Sequence, residues 1–357
     1  MSQKTVSGFS SAVCYRLKLF LNEFAFLSCD KPTVTDKVQQ NKTSTKNPVS
    51  VALRYFAGAA LLLGLILLVE NWIGWSTLLS PWRTLAPGYL TAAIILVFLS
   101  YSLRALRVYD YFLADTRGQF GVCLRLSLQH NLLNNLLPMR AGELSFPVLM
   151  ARCFSVPAMR SVPALLWFRL LDLHTLVAFA LFVISEHFIG QTLGVTLGLA
   201  WMTLPWLGFK LYGAWQIKLT HSAGKAGKLL RQIFESLPQQ PRLFWRSWLW
   251  TLLNWAIKLT VFAWILTLFG EIPLGTAWIG ATFGDFTSVL PIHGIAGAGT
   301  YEAGVVAGLA PFGIKPTEAL QAAVNLHLFV LGCTLLSGLL SLLLPGQSNT
   351  PTNTSIK

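Results

Sequence analysis

Two stretches, "NNLLPMRAGE" at 134–143 and "SVLPIHGIAGAGTYEAG" at 288–304, decide how this chain is read. Each interrupts an apolar segment in the same way: Leu-Pro, then a basic or imidazole side chain (Arg140, His293), then glycine, then glutamate (Glu143, Glu302). Proline removes a backbone N–H and ends a helix, and glycine permits a tight turn. Both stretches therefore predict a helix that stops inside an apolar region and a second, short helix that leaves it, the first of these over about 143–153.

The rest of the chain explains why such breaks matter. Of 357 residues 54% are hydrophobic and only 11% charged, the profile of a polytopic membrane protein. A spanning helix needs about 20 mostly apolar residues. Six segments qualify, at roughly 51–69, 84–103, 163–185, 190–212, 248–269 and 319–344. Segments 119–153 and 277–311 are apolar but broken, and they contain the two quoted stretches. The predicted fold class is an all-α polytopic membrane protein with about six spanning helices and two re-entrant broken-helix hairpins, arranged as inverted repeats. Residues 1–50 read as a polar cytoplasmic tail, 51–344 as the membrane domain, and 345–357 as a short polar tail. Segment 13–29 faintly resembles a signal or lipoprotein segment, but Asn22 and Glu23 interrupt its apolar run.

The formal net charge of +13 raises nucleic acid as a partner, and its placement argues against it. Segment 213–246 carries Lys218, Lys225, Lys228, Arg231, Arg242 and Arg246 against Glu235 alone. The connections near 70–83, 186–189 and 270–276 hold Glu70, Arg83, Glu186 and Glu271. Positive charge concentrates in cytoplasmic loops, so both termini and 213–246 are expected in the cytoplasm, beside anionic headgroups. The loop bearing Arg104, Arg107 and Arg117 is expected on that side too. Counting spans outward then puts both ends of 119–153 inside and both ends of 277–311 outside. The units 84–185 and 248–344 repeat span, broken segment and span at an offset of about 155 residues, with opposite orientation. Paired breaks in inverted halves point to a transport site near the midplane.

A broken helix exposes N–H groups with positive dipole character, which suit anions. Arg140 adds five donors in a fork that matches phosphate. Arg169 and Asp172, in "FRLLDL", stand three apart on one helical face and can pair. Asp285 is placed either to line the second break or to cap it. Cys14, Cys29, Cys123, Cys153 and Cys333 have no metal or redox spacing, and the histidines 130, 174, 187, 221 and 327 read as packing or interface residues. Glycines spaced by four at 190/194/198, 280/284 and 304/308 imply close helix packing.

The sequence "NNLLPMRAGEL", "FRLLDL" and "LPIHGIAGAGTYEAG" resembles the transmembrane region of lysylphosphatidylglycerol synthases and the stand-alone UPF0104 and hopanoid-associated proteins that share it. The resemblance covers about 51–344. In two-domain members that region is a lipid flippase, and a separate soluble domain transfers the aminoacyl group. The resemblance thus implies lipid translocation, and lipid aminoacylation is not expected. By position it implies roles in lipid or phosphate binding for Asn135, Pro138, Arg140, Gly142 and Glu143, for Arg169 and Asp172, and for Pro291, His293, Gly297, Gly299, Tyr301 and Glu302. Three departures bear on headgroup preference: Phe168 stands where an acidic residue often precedes the arginine, Tyr301 where a basic one often precedes the last glutamate, and "HGIAGAG" spaces the glycines unusually.

The expected function is translocation of an anionic phospholipid or a polyprenyl-phosphate-linked lipid between leaflets of the bacterial inner membrane. The alternatives are a membrane-embedded lipid-modifying enzyme, with Glu143, His293 or Glu302 as acid or base, and an accessory scaffold for lipid synthesis. No GxSxG, HExxH or acidic metal cluster supports catalysis, so no catalytic residue, metal or cofactor is expected. Membrane lipids are the expected partners; a homo-oligomer and a lipid-synthesis enzyme stay open.

Overall fold

A computed structural model describes residues 63–137, 142–220, 238, 240–289 and 295–346. Among these the chain is all-α, with no strand. The expected tail and most of the expected span 51–69 lie outside the described residues. Helix α1 (Leu63–Trp72) bends by 88° into two short turns that end at Thr84, over the connection expected near 70–83. The bend falls at Gly74, whose φ of 78° favours glycine.

The long helices follow: α2 (Pro87–Tyr111), α3 (Phe120–Leu136), α4 (Ser145–Phe154), α5 (Ala158–Phe188), α6 (Gln191–Thr220), α7 (Pro241–Phe269), α8 (Leu274–Val289), α9 (Thr300–Leu309) and α10 (Pro316–Ser341). Pro87, Pro241 and Pro316 each open their helix at a position where the missing N–H costs nothing. Four helices are long and apolar enough to cross a membrane: α2, α5 through Ile184, α7 and α10; the bent pair at 63–84 makes a fifth candidate. Over the expected span 190–212, α6 is a continuous helix of 30 residues that packs on α5. There Gly198 leaves room for the Phe182 ring, and Trp201 stacks on His174.

Two expectations are corrected. Segment 213–246 is not all loop, because α6 runs to Thr220 and α7 starts at Pro241. Arg104 and Arg107 do not lie in a loop, because α2 continues to Tyr111 and carries both into the bundle. Arg107 is 3% exposed.

The two quoted stretches do break helices, and the segments around them sit at the centre. Helix α3 is buried over 126–133 without interruption, on all its sides. It packs against α2, α4 and α10. At 17 residues it is roughly 25 Å long. The return helix α4 is seated by Phe146 and Met150 against Leu126 of α3 and Phe168 of α5. Gly142 follows the first break. A Cβ there would lie 2.4 Å from the backbone of Asn134, so the chain turns back directly against α3 and only glycine fits.

Helices α8 and α9 form an antiparallel hairpin held by glycines. A Cβ at Gly280 would meet Leu309, one at Gly284 would meet Val305, and one at Gly304 would meet Thr287 and the Phe283 carbonyl. These partners descend on one helix as they ascend on the other, which fixes the antiparallel sense. Lipid tails are as apolar as leucine, so close packing rather than water expulsion holds helices together in a bilayer. The glycine spacing predicted at 280/284 and 304/308 does this here. Val97 and Tyr101 of α2, Phe262 and Leu266 of α7, Val305 of α9 and Phe329 of α10 join the larger core cluster.

Candidate functional site

A cavity of about 80 Å³ lies where the two breaks meet, with α3 also touching the short turn Ile295–Gly297 of the second break. It is lined by residues from α2 (Tyr101, Arg104), α3 (Asn131, Asn134, Asn135), α5 (Arg169, Asp172), α7 (Trp255, Lys258), α8 and its break (Asp285, Ser288, Ala296, Gly297), α9 (Tyr301) and α10 (His327, Val330, Leu331). At 10–15 Å³ per water centre, that volume holds on the order of five waters or one small polar group, and no acyl chain.

Asp172 is the anchor. Its carboxylate accepts from Arg107 Nη1 at 2.7 Å, Arg169 Nη1 at 3.2 Å and Trp255 Nε1 at 3.0 Å. Arg107 also donates to Thr251 Oγ1 at 2.8 Å and sits 4.6 Å from the centre of the Phe168 ring. The face of the Phe168 ring attracts this cation. Arg169 reaches Glu143 at 2.6 Å as well as Asp172, so it ties the first break to α5. His130 Nδ1 lies 2.9 Å from the Ser145 hydroxyl. In α7, Lys258 pairs with Asp285 at 2.7 Å, its ammonium 4.5 Å from the Trp255 ring.

The second break has its own network. Glu302, 2% exposed, accepts from the Gly299 backbone N–H at 2.8 Å and lies 2.6 Å from His327 Nδ1. His327 Nε2 lies 2.9 Å from the Ala296 carbonyl. A carbonyl only accepts, so Nε2 carries a hydrogen, and one further proton lies between Nδ1 and the carboxylate. The pair is neutral whichever partner holds that proton. Ala296 adopts φ 55°, in the left-handed region, and Gly297 and Gly299 have φ 81° and 82°. The glycines serve the turn, while Ala296 is held in a conformation rare for a side-chain-bearing residue.

The charges do not balance. Asp172 is held by Arg107 and Arg169, Glu143 by Arg169, Asp285 by Lys258, and Glu302 with His327 is neutral. Arg104 donates only to the amide oxygen of Asn131, at 2.9 Å, and pairs with no carboxylate among the described residues. Four cations thus face three carboxylates, and the excess is at Arg104.

The family model described as the lysylphosphatidylglycerol synthase TM region matches residues 55–338. The chain belongs to this family. It is a multi-pass membrane protein, and the match covers both breaks and every cavity-lining residue. No curated protein and no solved structure matches the chain.

Of the site residues that the family resemblance implied, Asn135, Arg169, Asp172, Gly297 and Tyr301 line the cavity. Glu143 and Glu302 lie one contact away, behind Arg169 and His327. Gly142 and Gly299 shape the breaks. Pro138, Arg140, Pro291 and His293 lie outside the described residues. The sequence reading passed over Arg104, Asn131, Asn134, Trp255, Lys258 and Tyr101. It also placed His327 among packing residues, whereas this histidine joins Glu302 to the cavity. An available signal was a lysine in the middle of an otherwise apolar span, "NWAIKLT", since an intramembrane charge marks a cavity by default.

Proposed function

We propose that this protein is a lipid flippase that moves an anionic lipid between the leaflets of a membrane. The observation that carries the reading is Arg104: a cation without a carboxylate partner among the described residues, at a cavity lined by polar side chains between two broken helices. A buried charge left unpaired is strongly destabilising, so a site that keeps one is suited to a ligand that brings the opposite charge. The cavity takes a headgroup and leaves the acyl chains in the bilayer. The family supports a lipid-related role. The enzyme reading has less support among the described residues, because Glu143 and Glu302 are committed to Arg169 and to His327.

The charge asymmetry of the loops supports an inverted arrangement, in a bacterial inner membrane with both termini cytoplasmic. Both ends of the first broken segment then face the cytoplasm and both ends of the second face the other side. Cysteines introduced at Gly118 and Ser155, in a cysteine-free background, should label from one side, and those at Thr276 and Lys315 from the other. Labelling of Gly118 and Ser155 from opposite sides removes the hairpin topology.

The function is tested in liposomes containing purified protein, by the rate at which labelled lipids of several classes change leaflet. Anionic lipids should cross faster than in protein-free vesicles, and Arg104→Gln should abolish most of the gain. Chemical conversion of a lipid without transfer would replace the transporter by an enzyme.

A further inference from the structure

We propose that Glu302 and His327 form a binding site for a single proton, and that this proton latches the second break to α10. No lipid enters the latch, so it stands apart from the flippase reading.

The latch joins three elements. Glu302 sits in the first turn of α9, where its Oε2 accepts from the Gly299 N–H at 2.8 Å. Its Oε1 lies 2.6 Å from Nδ1 of His327 on α10. The other ring nitrogen, Nε2, lies 2.9 Å from the Ala296 carbonyl, in the turn of the break. Both side chains are buried, Glu302 at 2% and His327 at 6% exposure. One imidazole therefore clasps the break at its turn and at its return helix. Ala296, with φ 55°, holds a conformation that persists only where the surroundings over-determine it. The hydrogen bond to its carbonyl is what α10 contributes to that hold.

Two contacts need two hydrogens. A neutral imidazole carries one N–H and a carboxylate none, so the second hydrogen is a bound proton, on Nδ1 or on Oε1. It can leave to water in the cavity that His327 lines. The N–H or O–H bond then breaks, its electron pair stays behind, and the pair takes one negative charge. A single hydrogen remains for both contacts. Placed on Nε2, it leaves the Nδ1 lone pair facing a carboxylate oxygen 2.6 Å away. Placed on Nδ1, it leaves Nε2 facing a carbonyl oxygen 2.9 Å away. Either tautomer sets two acceptors against each other in a buried place, so one contact opens. Opening one frees the turn and opening the other frees the start of α9. The turn Ile295–Gly297 packs on α3, so its release reaches the first break as well.

Other ionisable groups face the pair. The Tyr301 ring of α9 lies 4.8 Å from the imidazole. Asp285 of α8, Lys258 of α7, Arg104 of α2, and Arg169 and Asp172 of α5 line the same cavity. The hydrogen bonds of these five go to each other or to other residues: Lys258 to Asp285, Arg169 to Asp172, Arg104 to Asn131. They shape the field in which the proton binds. They do not change the number of hydrogens that the two contacts need, nor do Arg140 and His293, which lie outside the described residues.

The test is amide hydrogen exchange over residues 295–303 in the purified full chain, without added lipid. It runs from about pH 5 to about pH 9, either side of the ordinary imidazole range. Glu302→Gln is the reference at each pH, so the chemical pH dependence of exchange cancels. Its amide donates to Nδ1 and its oxygen accepts from Gly299, which keeps the latch shut with no proton to lose. Relative to Glu302→Gln, wild-type exchange should rise about ten- to a hundredfold toward high pH, the worth of a charge-assisted hydrogen bond. A ratio that does not move with pH overturns the latch. His327→Leu lacks both contacts and should exchange fast at every pH; exchange as slow as in Glu302→Gln overturns the latch too. The wild-type ratio decides the matter even where His327→Leu does not fold. His293→Ala should keep the wild-type pH dependence, and losing it would move the proton to His293 and overturn the assignment. A ratio that moves as expected, with no lipid class crossing faster in liposomes, would remove the flippase reading and leave the latch standing.

Discussion

The two broken segments do different jobs with similar sequences. The first, α3 with α4, is polar at its heart: Ser127, Gln129, His130 and Asn131 are all buried on α3. Side chains hold it, through Arg169 to Glu143 and Ser145 to His130. The second, α8 with α9, is a glycine-packed hairpin whose backbones nearly touch, and its few polar groups are concentrated at the cavity end. One segment supplies chemistry and tolerates little change of polarity. The other supplies a rigid wall and tolerates little change of volume. Sequence similarity at a break therefore fixes the turn and leaves the role of its helices open.

The largest effect is expected at Asp172, which reaches the first segment through Arg169 and Glu143 and the second through Trp255, whose ring lies against the Lys258 that pairs with Asp285. Asp172→Ala leaves Arg107 and Arg169 without their shared carboxylate, and breaking a buried pair this way costs about 3–5 kcal/mol. Loss of the folded monodisperse peak in detergent would show it; a protein that stays folded would mean the two segments are held independently.

The contrast itself is tested next. Gly304→Val forces atoms into a space where even a Cβ would stand 2.7 Å from the Phe283 carbonyl. Overpacking of this kind costs about 1–3 kcal/mol, seen as a fall in melting temperature. Arg104→Gln should do the reverse. It should raise the melting temperature, because it removes an uncompensated buried charge, and cut transport by about ten- to a hundredfold, the worth of a hydrogen bond to a charged group. If Gly304→Val leaves stability untouched, or Arg104→Gln unfolds the protein, the division of labour fails. The smallest effect belongs to Arg160→Ala. Its pair with Asp115 at 2.9 Å is half-exposed on the arginine side, and such pairs contribute about 0–1 kcal/mol. Melting and transport close to wild type are expected.

Much of this was legible in the sequence. Long apolar runs announced the spanning helices, Leu-Pro with glycine announced the breaks, and glycines spaced by four announced the α8–α9 contact. Arg169 and Asp172 were legible as a pair because a helix fixes their spacing. The partners across the cavity were not. Arg104 and Arg107 read as loop charges because a basic residue at the end of an apolar run looks alike whether the helix stops or continues. Asn131 and Asn134 carry no periodic signal on a helix buried on all sides. Lys258 and Asp285 stand on different helices, and only tertiary packing brings them within 2.7 Å.

Helix α3 also constrains how the protein is made. Its buried stretch carries Ser127, Gln129, His130 and Asn131, and its resting place depends on α10, where Asn135 donates to Thr334 from 199 residues away. At roughly 5–20 residues per second, the ribosome needs on the order of 10 to 40 seconds to span that distance. Through that interval these polar side chains exist without that wall. Something other than its final neighbours, whether the insertion machinery, the headgroup layer or α2 alone, has to shelter Gln129, His130 and Asn131 until α10 arrives.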